Sequence, residues 1–132
     1  MQIVYKINEP ISGECAADLF NRSGIRRPTN DVARIDAMFK NADITISAWD
    51  DLRLVGVARA LTDYRYSCYL SDLAVDSEYQ KQGIGSELVS RLRNRLGEEV
   101  TLILLSAPGA VEYYPKIGFQ PAGNAFIINR GR

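Results

Sequence analysis

Residues 69–96 read YLSDLAVDSEYQKQGIGSELVSRLRNRL, and the stretch changes its period halfway along. Tyr69, Ser71, Leu73 and Val75 fall on one face of a period-two pattern, with Leu70, Asp72 and Ala74 on the other, which predicts a strand. Leu88, Val89, Leu92 and Leu96 recur at helical spacing, and Glu87 stands one turn before Arg91, the favourable order for an ion pair on an exposed helix face. Between strand and helix lies Gln80-Lys81-Gln82-Gly83-Ile84-Gly85-Ser86. Two glycines in a loop that opens a helix let a ligand approach the backbone, and the first N–H groups of the helix lack partners within it. Such a turn can hold a phosphate.

Two familiar glycine loops do not fit. A Walker loop needs Lys and then Ser or Thr directly after its last glycine, whereas Ser86-Glu87 follows Gly85. A dinucleotide fingerprint needs a third glycine where Leu88 stands, and an acidic residue where the chain reads Ile103-Leu104-Leu105. What remains is Gln-x-x-Gly-x-Gly after an apolar strand. Gln80 to Gly85 resembles the acyl-CoA pyrophosphate loop of the GNAT family of N-acetyltransferases, with Leu73-Ala74-Val75 as the strand that precedes it. A second stretch, Ala-Val-Glu-Tyr-Tyr-Pro-Lys-Ile-Gly-Phe at residues 110–119, resembles the same family's segment in which an aromatic pair is followed by Lys, an apolar residue and Gly-Phe. Without the resemblance, the two stretches read as a helix-capping turn and as a surface helix stopped by Gly118.

The length, 132 residues, predicts one domain over 1–132, able to bury roughly two-thirds of its unfolded surface. Two cysteines, Cys15 and Cys68, and no histidine give neither a metal-ligand spacing nor a disulfide framework, and a cytoplasmic setting is expected. The missing histidine also removes the usual base of a Ser or Cys triad. Sixteen Lys and Arg balance sixteen Asp and Glu, which argues against a surface that tracks nucleic acid. No run approaches the ~18 apolar residues of a membrane span, so no membrane partner is expected.

In chain order, Ile3 to Ile7 predicts a strand. Ser12 caps a helix with Cys15, Ala16, Leu19 and Phe20 on one face, stopping near Gly24. Thr29 or Asn30 caps a second helix with Val32, Ile35, Met38 and Phe39 inward. Ile44–Trp49 and Leu52–Ala60 predict a hairpin around Asp50-Asp51, with Ile44, Ile46 and Ala48 alternating on one arm and Leu54, Gly56 and Ala58 on the other. Gly56 within a strand suggests a bulge, a close backbone approach, or plain packing. Thr101 to Leu105 is apolar enough for a sheet interior. After the Tyr113-Tyr114 helix, two short strands, Gly118–Pro121 and Ala125–Asn129, are expected to turn at Gly123-Asn124. The order predicts an α/β fold with a mixed central sheet flanked by helices, which matches the acyl-CoA N-acyltransferase (GNAT) topology.

The resemblance implies a function: transfer of an acetyl group from acetyl-CoA to an amine by direct attack in a ternary complex, with a non-catalytic acyl-CoA sensor as the alternative. It implies cofactor contacts at Leu73, Ala74, Val75, Gln80, Lys81, Gln82, Gly83, Ile84, Gly85 and Ser86, with Lys81 adding charge at the rim. It assigns Tyr114 as proton donor to the leaving thiolate, with Tyr113 as a wall aromatic. A backbone N–H at Leu73 or Val75 would meet the oxyanion. Where many members carry Asn before the Tyr helix, this chain reads Ser106-Ala107-Pro108-Gly109, and Ser106 is the substitute. For the base, Asp72, Asp63 and Glu112 are the carboxylates expected near the site, and Asp72 is the first choice. Arg26 and Arg27, in the loop that borders the acceptor side in the family, either meet an acidic acceptor or form a solvated pair. A homodimer through sheet edges and the carboxy-terminal strands is expected.

Overall fold

A computed structural model describes residues 2–132. Five strands, β1 (Ile3–Ile7), β2 (Ile44–Asp50), β3 (Arg53–Thr62), β4 (Ser67–Val75) and β5 (Thr101–Leu104), lie side by side in sequence order. The first four pair antiparallel, and β5 joins β4 in parallel. A parallel neighbour needs a long crossover, supplied by α3 (Ile84–Leu96). The helix stops where Gly97 takes φ 83°. Helices α1 (Gly13–Ser23) and α2 (Val32–Lys40) cover the opposite face, so the sheet is the middle layer between two cores.

On the α3 side, Ile84, Leu88, Val89 and Leu92 are at most 3% exposed and pack on Ile46, Ala48, Ala58 and Leu70. Burial of each such side chain contributes about 1.5–3 kcal/mol. The outer face of the helix carries the expected Glu87–Arg91 pair at 2.8 Å, solvent-screened and worth about 0.3–0.5 kcal/mol. On the other side, Ala16, Leu19, Phe20 and Ile35 meet Leu54, Val57 and Ala74. Ser12 caps α1 through the Cys15 N–H, and Gly24 ends it in the left-handed region, both as expected. The cap of α2 is Asp31, one residue beyond Asn30, because its carboxylate accepts from the Arg34 N–H. Val32 stays 39% exposed rather than inward, since it lies in the first turn, where only its carbonyl approaches α1, at Gly13.

Two bulges break the expected alternation. Ala48 pairs with Gly56 but Trp49 with Leu54, leaving Val55 as the extra residue, so Leu54 faces α1 while Ala58 faces α3. Gly56 serves as a close approach too: a Cβ there would stand 3.0 Å from Ile84 Cγ2. Further along, Arg59 pairs with Asp72 and Ala60 with Leu70, leaving Ser71 unpaired. Cys68 and Leu70 therefore share the α3 face with Leu73 and Val75, and Asp72 and Ala74 turn to the α1 face. One inserted residue shifts every later side chain to the other side.

The far edge differs from expectation. Strand β5 is the outermost described strand, and Ile103 and Leu105 are about half exposed, at 47% and 53%. The turn at Gly123-Asn124 forms, but no strand flanks it in residues 118–132. Pro121 has no N–H to donate and Gly118 sits at φ 105°, so the first segment packs inward only through Phe119, and Phe126 and Ile128, 97% and 99% exposed, leave the second with no face to bury. A cleft of about 1160 Å³ runs between β5, the carboxy-terminal half of α3 and this tail.

Candidate active site

The pairing of β4 with β5 covers Ser67–Leu70 against Thr101–Leu104 and ends there. From Ser71 to Val75, β4 keeps β3 on one side and has no strand on the other among the described residues. That half-strand presents an edge that no strand pairs, although its end carbonyls are taken, Ser71 by Arg27 and Val75 by Gln80. Leu73, Ala74 and Val75, three of the expected contacts, lie on it.

At the end of β4 the chain is tied down before it turns. The Asp76 N–H donates to the Val55 carbonyl at 2.8 Å. The Asp76 carboxylate, 1% exposed, accepts from the Glu78 N–H, from Arg22 and from Arg53. Desolvation pushes its pKa up, but these donors outweigh it and hold the carboxyl below the usual range. The Gln80 carboxamide donates back to the Val75 carbonyl at 3.0 Å, so this side chain closes the loop on the strand. Lys81 (φ 65°) and Gly83 (φ 84°) then turn left-handed, and α3 begins at Ile84. The first intrahelical bond runs from the Glu87 N–H to the Gly83 carbonyl, and no side chain caps the start. The N–H groups of Ile84, Gly85 and Ser86 therefore have no partner inside the helix, in a field that favours an anion.

Across from this loop stand the two tyrosines of α4 (Tyr113–Lys116). The Tyr113 hydroxyl lies against Gly85, 2.6 Å from where a Cβ would be, with Val75 Cγ2 at 3.8 Å. Tyr113 thus spans from α4 to the mouth of the glycine turn. Tyr114 is half-buried, edge-on to Tyr113 (5.3 Å) and to Phe119 (5.6 Å). Burial, then the neighbouring Tyr113, raise the Tyr114 pKa, while the Arg27 charge pulls it down, so the phenol holds its proton at neutral pH. Ser106 lines the same cleft as Tyr114.

Asp72 does not fit the role of base. Beyond the bulge its side chain points to the α1 face, 1% exposed, and its two oxygens accept from Arg27 Nε (2.6 Å) and from Arg59 Nε. A carboxylate so engaged is a counter-ion, with no free oxygen facing the open edge. Asp63 is removed for another reason: it lies in the β3–β4 turn, where it accepts from the N–H groups of Arg65, Tyr66 and Ser67 at the far end of β4.

Comparison with known proteins follows the same lines. Residues 17–130 match the family model described as the acetyltransferase (GNAT) domain. This chain belongs to the GNAT acetyltransferase family. A histone acetyltransferase of Glycine max is 31% identical over 106 residues, covering 70% of this chain and 46% of that protein. The chain spans about half the length of the two soybean relatives it matches, 46% and 52%. A GNAT family acetyltransferase from Streptococcus pneumoniae superposes with a TM-score of 0.75 at 24% identity, over 98% of this chain and 99% of that one. An aminoglycoside N-acetyltransferase solved in complex with CoA superposes with a TM-score of 0.71 at 13% identity, over 99% and 96%.

Within this GNAT fold, three residues of the site were not singled out by sequence: Asp76 as the anchor of the loop, Arg59 as the second partner of Asp72, and Ser71 as the bulge. Asp76 ends a strand in front of a turn, a position that only hints at capping. Arg59 sits in an apolar run, Ala58-Arg59-Ala60, and a charge there is a signal for a buried partner. The partner itself is 13 residues away, beyond any local pattern.

Proposed function

We propose that the domain transfers an acetyl group from acetyl-CoA to a primary amine of a small molecule or peptide, by direct attack in a ternary complex. The observation that supports this reading is the open edge of β4 next to the uncapped start of α3, with Tyr113 against Gly85 and the half-buried Tyr114 packed edge-on to Tyr113. The CoA complex of the aminoglycoside N-acetyltransferase supports it. In this reading the N–H groups of Gln82, Gly83, Gly85 and Ser86 hold the pyrophosphate, with exposed Lys81 adding charge at the rim. The edge from Leu73 to Val75 pairs with the extended pantetheine arm as an added strand does, and Ser106 lies on its other side. A backbone N–H of that edge stabilises the developing oxyanion.

Tyr114 donates its phenolic proton to the departing thiolate. A phenol whose pKa is raised by burial stays protonated through neutral pH, so it is available to hydrogen-bond the sulfur and to pass its proton as negative charge builds there. With Asp72 spent on two arginines and Asp63 on its own turn, the amine sheds its proton to Glu112, exposed just before α4, or directly to water. No nucleophilic side chain is required, and the transfer needs no acyl-enzyme. The two free cysteines suit a reducing, cytoplasmic compartment, and burial raises the thiol pKa of both. The exposed apolar edge of β5 and the exposed Phe126 and Ile128 favour a homodimer.

The test is thiol release from acetyl-CoA over a panel of polyamines, amino acids, aminoglycosides and peptide amino termini, with wild type and Tyr114→Phe side by side. Release that falls by about 10²–10⁴-fold in the variant, at unchanged acetyl-CoA affinity, is the expected result. Tight acetyl-CoA binding with no release from any amine would point to the sensor instead, and absence of binding would sink the acyl-CoA reading.

A further inference from the structure

We propose that Arg27 reads a carboxylate on the acceptor, so that the preferred substrate is an amine that also carries an acid group. This rests on the acetyl-transfer reading and adds to it the acceptor's chemical class. The starting point is a charge imbalance. Asp72 is the one carboxylate that Arg27 and Arg59 pair with, and both guanidinium groups donate to it, which leaves one positive charge in excess beside the open half of β4.

The two arginines differ in what they have left to give. Arg59 is 6% exposed and every nitrogen is engaged: Nε with Asp72, Nη1 with the Met38 carbonyl at 3.3 Å, Nη2 with Ser71 Oγ at 2.8 Å. Arg27 uses Nε on Asp72, Nη2 on the Ser71 carbonyl at 2.9 Å and Nη1 on the Arg26 carbonyl at 2.6 Å. Each terminal nitrogen carries a second N–H, and a quarter of this side chain, 25%, is exposed. The excess charge is therefore presented to ligand by Arg27, with its guanidinium plane already fixed by three acceptors.

Its position is as informative as its valence. Ser71, which Arg27 grips, is the bulge residue at the point where β5 leaves β4, so Arg27 sits at the head of the open edge. It comes from the loop between α1 and α2, on the face of the sheet away from α3, whereas the glycine turn opens α3. An acceptor whose amine is held along the open edge lies beside Ser71, whose carbonyl Arg27 grips at 2.9 Å, and so brings its substituents to Arg27. A partly desolvated cation with spare, oriented donors binds a carboxylate by charge-assisted hydrogen bonds.

The experiment compares kcat/KM for matched acceptors, amino acids against their neutral amides, in wild type, Arg27→Gln and Arg27→Lys, with thermal melts and acetyl-CoA titration of each variant. The expected result is a wild-type preference for the acid over the amide of about 10- to 100-fold, the worth of a charged hydrogen bond. Arg27→Gln should bring that ratio close to one at unchanged acetyl-CoA affinity, and Arg27→Lys should keep part of it. Equal use of acid and amide by the wild type would overturn the proposal alone. A fall in Arg27→Gln that is the same for both would make Arg27 a structural latch and also overturn it. No thiol release with any amine would overturn the acetyl-transfer reading and this proposal with it.

Discussion

The hydroxyl of Tyr113 occupies the space that a side chain at Gly85 would need: a Cβ there would stand 2.6 Å from the oxygen and 3.6 Å from the ring carbon that bears it. Gly85 has no positive φ, so what it gives is room for this contact rather than a left-handed backbone. Gly85→Ala should therefore push the Tyr113 hydroxyl aside at a small cost, about 0.5 kcal/mol, because that oxygen is the far end of a partly exposed side chain. Tyr113→Phe removes the clashing atom and leaves an ordinary contact. The double variant should melt closer to wild type than Gly85→Ala alone, a coupling that thermal or urea denaturation of all four proteins reads directly.

Tyr114 makes a prediction in pH. Its pKa is raised, chiefly by burial, so the donor is protonated below the ordinary phenol range of about 10 and is lost only above it. The alkaline limb of kcat/KM should lie above pH ~10 and vanish in Tyr114→Phe, which lacks the titrating group. A limb that persists unchanged in the variant would assign the proton to another donor.

Asp72 holds two arginines in a buried site, and removing one partner of such a cluster leaves uncompensated charge. Asp72→Asn should cost about 3–5 kcal/mol in urea unfolding, more than an exposed carboxylate could. Were Asp72 the catalytic base, the variant would instead keep its stability and lose only turnover.

Asp76 links stability to acid. Its folded pKa is depressed, so its contribution is complete above the unfolded value of about 3.9 and is lost as pH falls through the lower folded value. The urea midpoint should drop as pH is taken below about 4. In Asp76→Asn the midpoint should already be low at pH 7, with a weaker dependence through the acid range.

The tail gives a prediction about assembly. Phe126, Ile127 and Ile128 are exposed beside a sheet whose β5 edge is open, an arrangement that invites strand addition between chains. Light scattering should show a dimer at micromolar concentration and a monomer for Ile128→Glu. A wild-type monomer at every concentration would remove the dimer.

By itself the sequence determined the local elements of this protein. The strand at Ile3–Ile7, the Ser12 cap, the Gly24 and Gly97 stops and the face of α3 are all written in neighbours within a few residues, where periodicity and capping chemistry act. The glycine turn was legible for the same reason, because glycine, a left-handed backbone and a helix start are consecutive. The tertiary structure alone decided which face each side chain takes after a bulge, because one unpaired residue reverses the alternation and its place is set by the partner strand. That reversal turned Asp72 from an expected base into the counter-ion of Arg27 and Arg59, residues 45 and 13 positions away in sequence. The tertiary structure also left β5 at the edge: strand-forming residues at 118–121 and 125–129 need a face to bury, and local propensity does not supply one.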